Sequence, residues 1–175
     1  MRKSQESQPK IQKKSLESNY TAYCKTPIGT AKLVGDEQGI VEISVIDEVL
    51  ETTRNPHPSL QDGITQLTEY FAGTRKEFSL KLDPQGTTFQ KQVWHALSDI
   101  PYGKTRTYMQ QTKILGDPKA IRAVASANGK NPIWIVIPCH RIIGADGSLT
   151  GYAGGLWRKK WLLEHESPAP QQKLF

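Results

Sequence analysis

A chain of 175 residues, 37% hydrophobic and 23% charged, has the make-up of a soluble globular protein long enough to bury a core. It contains no apolar run near the roughly 18 residues of a membrane span and no secretory leader, so no membrane association is expected and the compartment is cytoplasmic, or nuclear in a eukaryote. Two distant cysteines, Cys24 and Cys139, make neither a disulfide framework nor a CxxC pattern, so both are expected as thiols, with no metal and no cofactor.

The net charge of +6 is unevenly spread. Residues 1–17 carry +3, residues 18–84 carry −4 and residues 85–166 carry +6. A basic second half points to a polyanionic partner, although a solvated basic surface explains the charge equally well until a docking motif is found.

Residues 1–17, poor in apolar side chains, read as a disordered basic tail. From Tyr20 to Ile46 the pattern predicts a three-stranded antiparallel meander with turns at Pro27-Ile28-Gly29 and Gly35–Gly39; Cys24 lies within its first strand and reads as structural. Leu60, Ile64, Leu67 and Phe71 at helical spacing predict a helix over 59–72, and Phe78–Leu82 reads as a short strand. This makes an α/β unit over 18–84, small enough to lean on its neighbour.

Beyond the loop at Asp83–Gly86 the pattern turns helical, and residues 85–167 read as a second domain. Thr87 or Thr88 caps a helix carrying Phe89, Val93, Trp94 and Leu97, and Thr107 caps a short helix through Tyr108 to Ile114. Asp117-Pro118 opens the next helix, which runs to Asn128-Gly129. Two short helices joined by Leu115-Gly116-Asp117 form a helix-turn-helix signature. The small face Ala120, Ala123, Ala127 and Gly129 suits close approach to a DNA groove; tight helix–helix packing is nearly as good a reading. Pro132–Ile137 reads as a buried strand with Cys139 at its end, Gly144–Ser148 as the turn of a wing, and Leu156 to Glu166 as a final helix. An apolar cradle opposes a thiolate, whereas the adjacent His140 and Arg141 favour one, so Cys139 sits where its ionisation is controllable. Taken alone, that cysteine is as readily a small core residue.

Motifs in order carry the argument further: Pro101-Tyr102-Gly103, Thr107-Tyr108, Lys119–Val124, Asn131-Pro132, Ile137-Pro138-Cys139-His140-Arg141, Gly151–Leu156, and Trp161-Leu162-Leu163 with His165-Glu166. Their spacing resembles that of the O6-alkylguanine-DNA alkyltransferases, specifically over 85–166 and more loosely over 20–84. The resemblance implies an α+β protein, an N-terminal RNase H-like α/β domain followed by a C-terminal winged helix-turn-helix DNA-binding and active-site domain. It implies a monomer that binds double-stranded DNA, flips out an O6-alkylguanine and moves the alkyl group irreversibly onto Cys139. By the same resemblance His140 is the base acting through a water, Glu166 orients His140, Asn131 holds the bend before the cysteine, and Tyr108 donates towards the guanine ring. Arg122 enters the duplex through the minor groove. Lys119, Ala123, Ala127, Arg141 and Tyr108 are the further expected DNA contacts. Trp134, Ile142, Tyr152, Ala153 and Lys159 are the expected pocket residues.

The chain departs from the family pattern at Trp134, where a smaller residue is usual, which puts acceptance of bulky groups such as benzyl in question. Ala153 stands where some relatives have serine. The N-terminal zinc ligands of some relatives have no counterpart around Cys24. The thioether formed at Cys139 is stable, so each molecule reacts once. Gln171–Phe175, closing the flexible tail 168–175, resembles a QxxLF peptide that docks on the replication sliding clamp; a frayed tail is the alternative. Three rival classes remain: a non-enzymatic lesion sensor of the same fold, against which Cys139 argues; a cysteine hydrolase, disfavoured because adjacent side chains leave a strand in opposite directions; and a transcription factor, which needs base-edge readers that the Ala-rich face lacks.

Overall fold

A computed structural model of the chain describes residues 19–167. The N-terminal basic tail and the Gln171–Phe175 peptide lie outside the described residues. Strands β1 (Tyr20–Thr26), β2 (Gly29–Asp36) and β3 (Gly39–Ile46) form the expected antiparallel meander in the order β1-β2-β3, with a bulge between Val34 and Gly35. Their inward side chains (Ala22, Cys24, Leu33, Ile43) pack under α1 (Pro58–Phe71), whose Leu60, Ile64, Leu67 and Tyr70 face the sheet. Gly63 has to be a glycine for this packing: a Cβ there would stand 2.7 Å from Leu33. The segment Phe78–Leu82 does not form the expected strand. Only Leu82 bridges to Ile40, because Gln66 of α1 takes the backbone N–H of Ser79 for itself.

The second half is a helical layer. Helices α2 (Thr88–Ser98) and α3 (Tyr108–Ile114) each open on a full capping box, Thr87 with Gln90 and Thr107 with Gln110. Asp117 caps a single 3-10 turn, Pro118–Ala120, before α4 (Ile121–Gly129) takes over, so α3 and α4 make the expected helix-turn-helix pair. Two-residue strands β4 (Arg106–Thr107) and β5 (Ile142–Ile143) pair in parallel, and α5 (Leu156–Glu166) closes the chain. At the wing, Gly144 and Ser148 close the turn through a 2.9 Å backbone hydrogen bond, but no second strand follows it.

One apolar core runs through both halves, from Leu33 and Ile43 to Val93, Leu97, Val124 and Leu162. Three polar ties reinforce it. The free edge of β3 is covered by the segment leading to Cys139, with Ile43 N–H donating to Pro132 O at 3.0 Å and Trp134 N–H to Ile43 O at 2.8 Å. Arg158 of α5 donates to Ile28 O and pairs with Asp47. The hydroxyl of Tyr70 on α1 reaches Glu166 at the end of α5. The N-terminal sheet thus anchors the segment that carries the cysteine.

Candidate active site

The stretch Pro132–Ile137 is not a strand. Ile133 makes a single bridge to Ile43 and the chain then turns on itself. Ile135 has φ +72°, a rare position for a β-branched residue, and Val136 N–H donates back to Trp134 O at 2.8 Å across it, a strained γ-turn. A second tight turn at Pro138 closes with Cys139 N–H on Ile137 O at 2.9 Å. Asn131, 3% exposed, holds the loop from inside: its amide donates to Ile137 O at 2.8 Å and its carbonyl accepts from Ile133 N–H at 2.9 Å. Strain of this kind, about 1–3 kcal/mol, survives only where neighbours over-determine the backbone, and it clusters at functional sites.

Cys139 therefore opens a 3-10 turn, Cys139–Arg141, rather than ending a strand. The Cys139 and His140 side chains do not leave a pleated strand, so strand alternation does not exclude a hydrolase. Cys139 is half-buried and opens onto a cavity of about 230 Å³ lined by Tyr108, Asn131, Trp134, Tyr152 and Ala153, among others. Burial pushes its thiol up from the ordinary value, while Asn131 and the ammonium of Lys159 pull the other way. The resting group is a thiol with its thiolate partly provided for.

Behind the cysteine lies a fully buried ionic cluster. His140 Nε2 is 2.8 Å from Glu166 Oε1. Arg141 clamps the same carboxylate from two nitrogens, Nε to Oε2 at 2.8 Å and Nη2 to Oε1 at 2.9 Å, and gives Nη1 to Ile100 O at 2.6 Å. Tyr70 adds its hydroxyl to Oε1 at 2.7 Å. Burial by itself would raise the Glu166 carboxyl, but the hydrogen bonds from His140 and Arg141 and their charges hold it well below the usual carboxylate range. A carboxylate so held accepts and never donates, so His140 carries its proton on Nε2. Burial keeps the imidazole neutral by pushing its pKa below 6.5, against the pull of Glu166. Its Nδ1, which has no hydrogen-bond partner among the described residues, is left as a lone-pair acceptor.

The other expected site residues fall into two groups. Tyr108, Trp134, Tyr152 and Ala153 line the cavity, with the Trp134 and Tyr152 rings 5.8 Å apart. The Tyr108 hydroxyl donates to Thr150 O at 2.9 Å. Arg122, Lys119 and Ala123 are exposed, and Arg122 borders a shallow groove that shares Tyr108, Ala125 and Gly151 with the cavity. Two expectations, Arg141 and Ala127, fail on geometry, and Ile142 and Lys159 lie behind the cavity rather than on its surface. Arg141 cannot reach DNA, because its guanidinium is spent on Glu166 and Ile100. Ala127 is 3% exposed and faces α2, where its carbonyl accepts from Trp94 Nε1–H. Ile142 is fully buried core. Lys159 lies beneath the pocket wall, buried, with Nζ on Thr150 O at 3.0 Å.

Sequence reasoning missed Tyr70 and Asn128. Asn128 lines the cavity, 6% exposed, with neither side-chain polar atom hydrogen-bonded among the described residues. Its only sequence signal was its place one turn from Asn131. A buried unpaired amide is costly unless a ligand completes it.

Comparison with known proteins agrees with this arrangement. Residues 88–168 match the DNA-binding domain, and residues 19–84 the ribonuclease-like domain, of the 6-O-methylguanine DNA methyltransferase family. The chain belongs to that family. It is 48% identical over 152 residues to a methylated-DNA–protein-cysteine methyltransferase of Methanosarcina acetivorans, covering 84% of this chain and 97% of the relative. A protein of the same name from Mycobacterium tuberculosis H37Rv is 47% identical over 150 residues, covering 83% and 91%. The fold is similar to the crystal structure of M. tuberculosis OGT in complex with DNA, with a TM-score of 0.75, 45% identity and coverage of 83% and 92%.

Proposed function

We infer that this protein repairs DNA by taking the alkyl group of an O6-alkylguanine onto Cys139, as a methylated-DNA–protein-cysteine methyltransferase that works once per molecule. The observation that carries this reading is the cysteine at the floor of the cavity, backed by a neutral histidine whose acceptor nitrogen is left free by the Glu166 cluster. In one in-line displacement the Cys139 sulfur forms a bond to the alkyl carbon and the carbon–O6 bond breaks, its electron pair passing into the guanine ring. The thiol proton goes to His140 Nδ1, by way of a water, and Glu166 stabilises the resulting imidazolium. The departing guanine is stabilised by a hydrogen bond to its ring from the Tyr108 hydroxyl, which in the free protein donates to Thr150 O; it takes its proton from water, to which the imidazolium returns one.

Base flipping brings the guanine to this cavity, since the O6 carbon is out of reach in a stacked duplex. Arg122 stands beside the groove that leads to the cavity, suited to fill the vacated stack, with Lys119 and Ala123 along the same surface. Asn128 offers one donor and one acceptor to the base. The division of labour is a first domain over 18–84 that braces the cysteine segment and a second over 85–167 that holds DNA and the site. The protein acts as a monomer in the compartment that houses the DNA, and Gln171–Phe175 tethers it to a sliding clamp. Removal of residues 171–175 with no loss of clamp in a pull-down would dismiss the tether. The repair reading is tested with duplex DNA carrying O6-methylguanine: the wild type should become methylated on Cys139, and a protein that stays unmodified over hours counts against it.

A further inference from the structure

We propose that Tyr70, on α1 of the ribonuclease-like half, is a positioning residue for the transfer, acting through Glu166 on His140. The inference rests on the repair reading above and extends the active machinery across the boundary between the two halves. Tyr70 is fully buried, and its hydroxyl donates to Glu166 Oε1 at 2.7 Å. Its ring has little freedom. Phe71 and Tyr102 meet it edge-on at 5.2 and 6.1 Å, Phe78 lies at 5.4 Å, and His165 Nε2 hydrogen-bonds its backbone carbonyl at 2.7 Å. A phenol held this firmly supplies its hydrogen bond at almost no further entropic cost.

The hydrogen bond matters because of which oxygen receives it. Oε1 is the atom that faces His140 Nε2, and it also accepts from Arg141 Nη2. With three donors around it, Oε1 has no position left for a second imidazole geometry, so His140 is held with Nε2 on the carboxylate and Nδ1 turned away from it. Each donor also takes a share of the carboxylate's charge, which reduces how strongly Glu166 can stabilise an imidazolium. Tyr70 and Arg141 therefore keep His140 a weak base, deprotonated and ready at neutral pH. The charged groups facing His140 are Glu166 and Lys159 from α5 and Arg141 from its own turn. Tyr70 from α1 and Tyr102 from the loop after α2 face Glu166. Of the two tyrosines, only Tyr70 hydrogen-bonds the carboxylate; the Tyr102 hydroxyl points to His165 O at 3.4 Å.

The test is Tyr70→Phe, which keeps the ring and its packing, with Tyr102→Phe as the control that removes a neighbouring hydroxyl. Single-turnover methyl transfer from O6-methylguanine duplex DNA is followed from pH 5 to pH 9, alongside alkylation of Cys139 by iodoacetamide read by mass spectrometry. In Tyr70→Phe the acidic limb of both profiles should move up by about one pH unit, the worth of one charge-assisted hydrogen bond. Tyr102→Phe should keep the wild-type limb. Superimposable limbs in Tyr70→Phe and wild type overturn the proposal, even if the variant melts earlier. If the wild type transfers no methyl group, the repair reading falls, and the iodoacetamide profile still decides whether Tyr70 governs the His140–Cys139 couple.

Discussion

Replacing Glu166 with glutamine removes one charge and one acceptor from a site that has no spare partner. Glu166 is 2% exposed, and its two oxygens take hydrogen bonds from Tyr70, His140 and twice from Arg141, all between 2.7 and 2.9 Å. A glutamine can present its carbonyl at only one of the two oxygen positions. With the carbonyl at the Oε1 position, its NH2 confronts Arg141 Nε–H and leaves a buried guanidinium without a counter-charge. With the amide reversed, the NH2 faces His140 Nε2, which must then accept, moving the imidazole proton to Nδ1 and abolishing the base. Breaking one side of a buried ion pair costs about 3–5 kcal/mol. For a domain of this size that lowers the melting temperature by roughly 10 °C. Loss of the oriented base should slow transfer by about 100- to 10,000-fold. Single-turnover transfer from O6-methylguanine duplex, at a temperature where circular dichroism shows the variant folded, separates the two effects. A folded Glu166→Gln protein reacting within a factor of about three of wild type would refute the role of the cluster.

Trp134 walls the cavity opposite Tyr152, so Trp134→Ala should speed reaction with free O6-benzylguanine while costing at most about 3–5 kcal/mol of stability in a denaturant titration; an unchanged rate removes Trp134 from the entry path. Arg122→Ala should slow transfer from duplex DNA by about ten-fold or more and leave reaction with the free base unaltered, because the free base needs no flipping; equal losses on both substrates contradict the intercalation role. Acid should erode stability in two stages. His140 is neutral in the native state, with its pKa below 6.5, so the unfolded chain binds the extra proton and stability falls once pH drops below about that value. Glu166, held well below 4.5, adds a further loss as pH falls past that value towards its folded pKa. Urea midpoints that rise on acidification from pH 8 to pH 5 would contradict the His140 assignment, and midpoints that rise from pH 4.5 to pH 2.5 the Glu166 assignment.

Local signals were legible and long-range ones were not. Thr107 marks the start of α3 and the pair Thr87-Thr88 that of α2, because an N-cap is a local signal, and the structure sets the α2 cap at Thr87. Pro132–Ile137 misled for a definite reason. Ile133, Ile135 and Ile137 are buried and Trp134 and Val136 are not, the alternation of a half-buried strand, yet Asn131 closes the backbone into turns by taking Ile133 N–H and Ile137 O. Ala123 and Ala127 are the same residue type on one helix, one exposed and one packed on α2, and small apolar side chains carry no polarity to tell the faces apart. Arg141 stands in a motif whose family resemblance implies DNA contact, and nothing local in the sequence shows that the 3-10 turn directs its guanidinium inward onto a carboxylate 25 residues away. Tyr70 left no trace in the motif at all: its partner stands 96 residues away.

The central claim is that Cys139 itself takes the alkyl group. Intact-mass and peptide spectrometry after incubation with duplex DNA carrying one O6-methylguanine tests it directly. The account predicts a single added methyl per protein, on the peptide containing Cys139, with none in Cys139→Ala and none on Cys24, which is buried in β1. An unmodified protein, or a methyl group on any other residue, would contradict it.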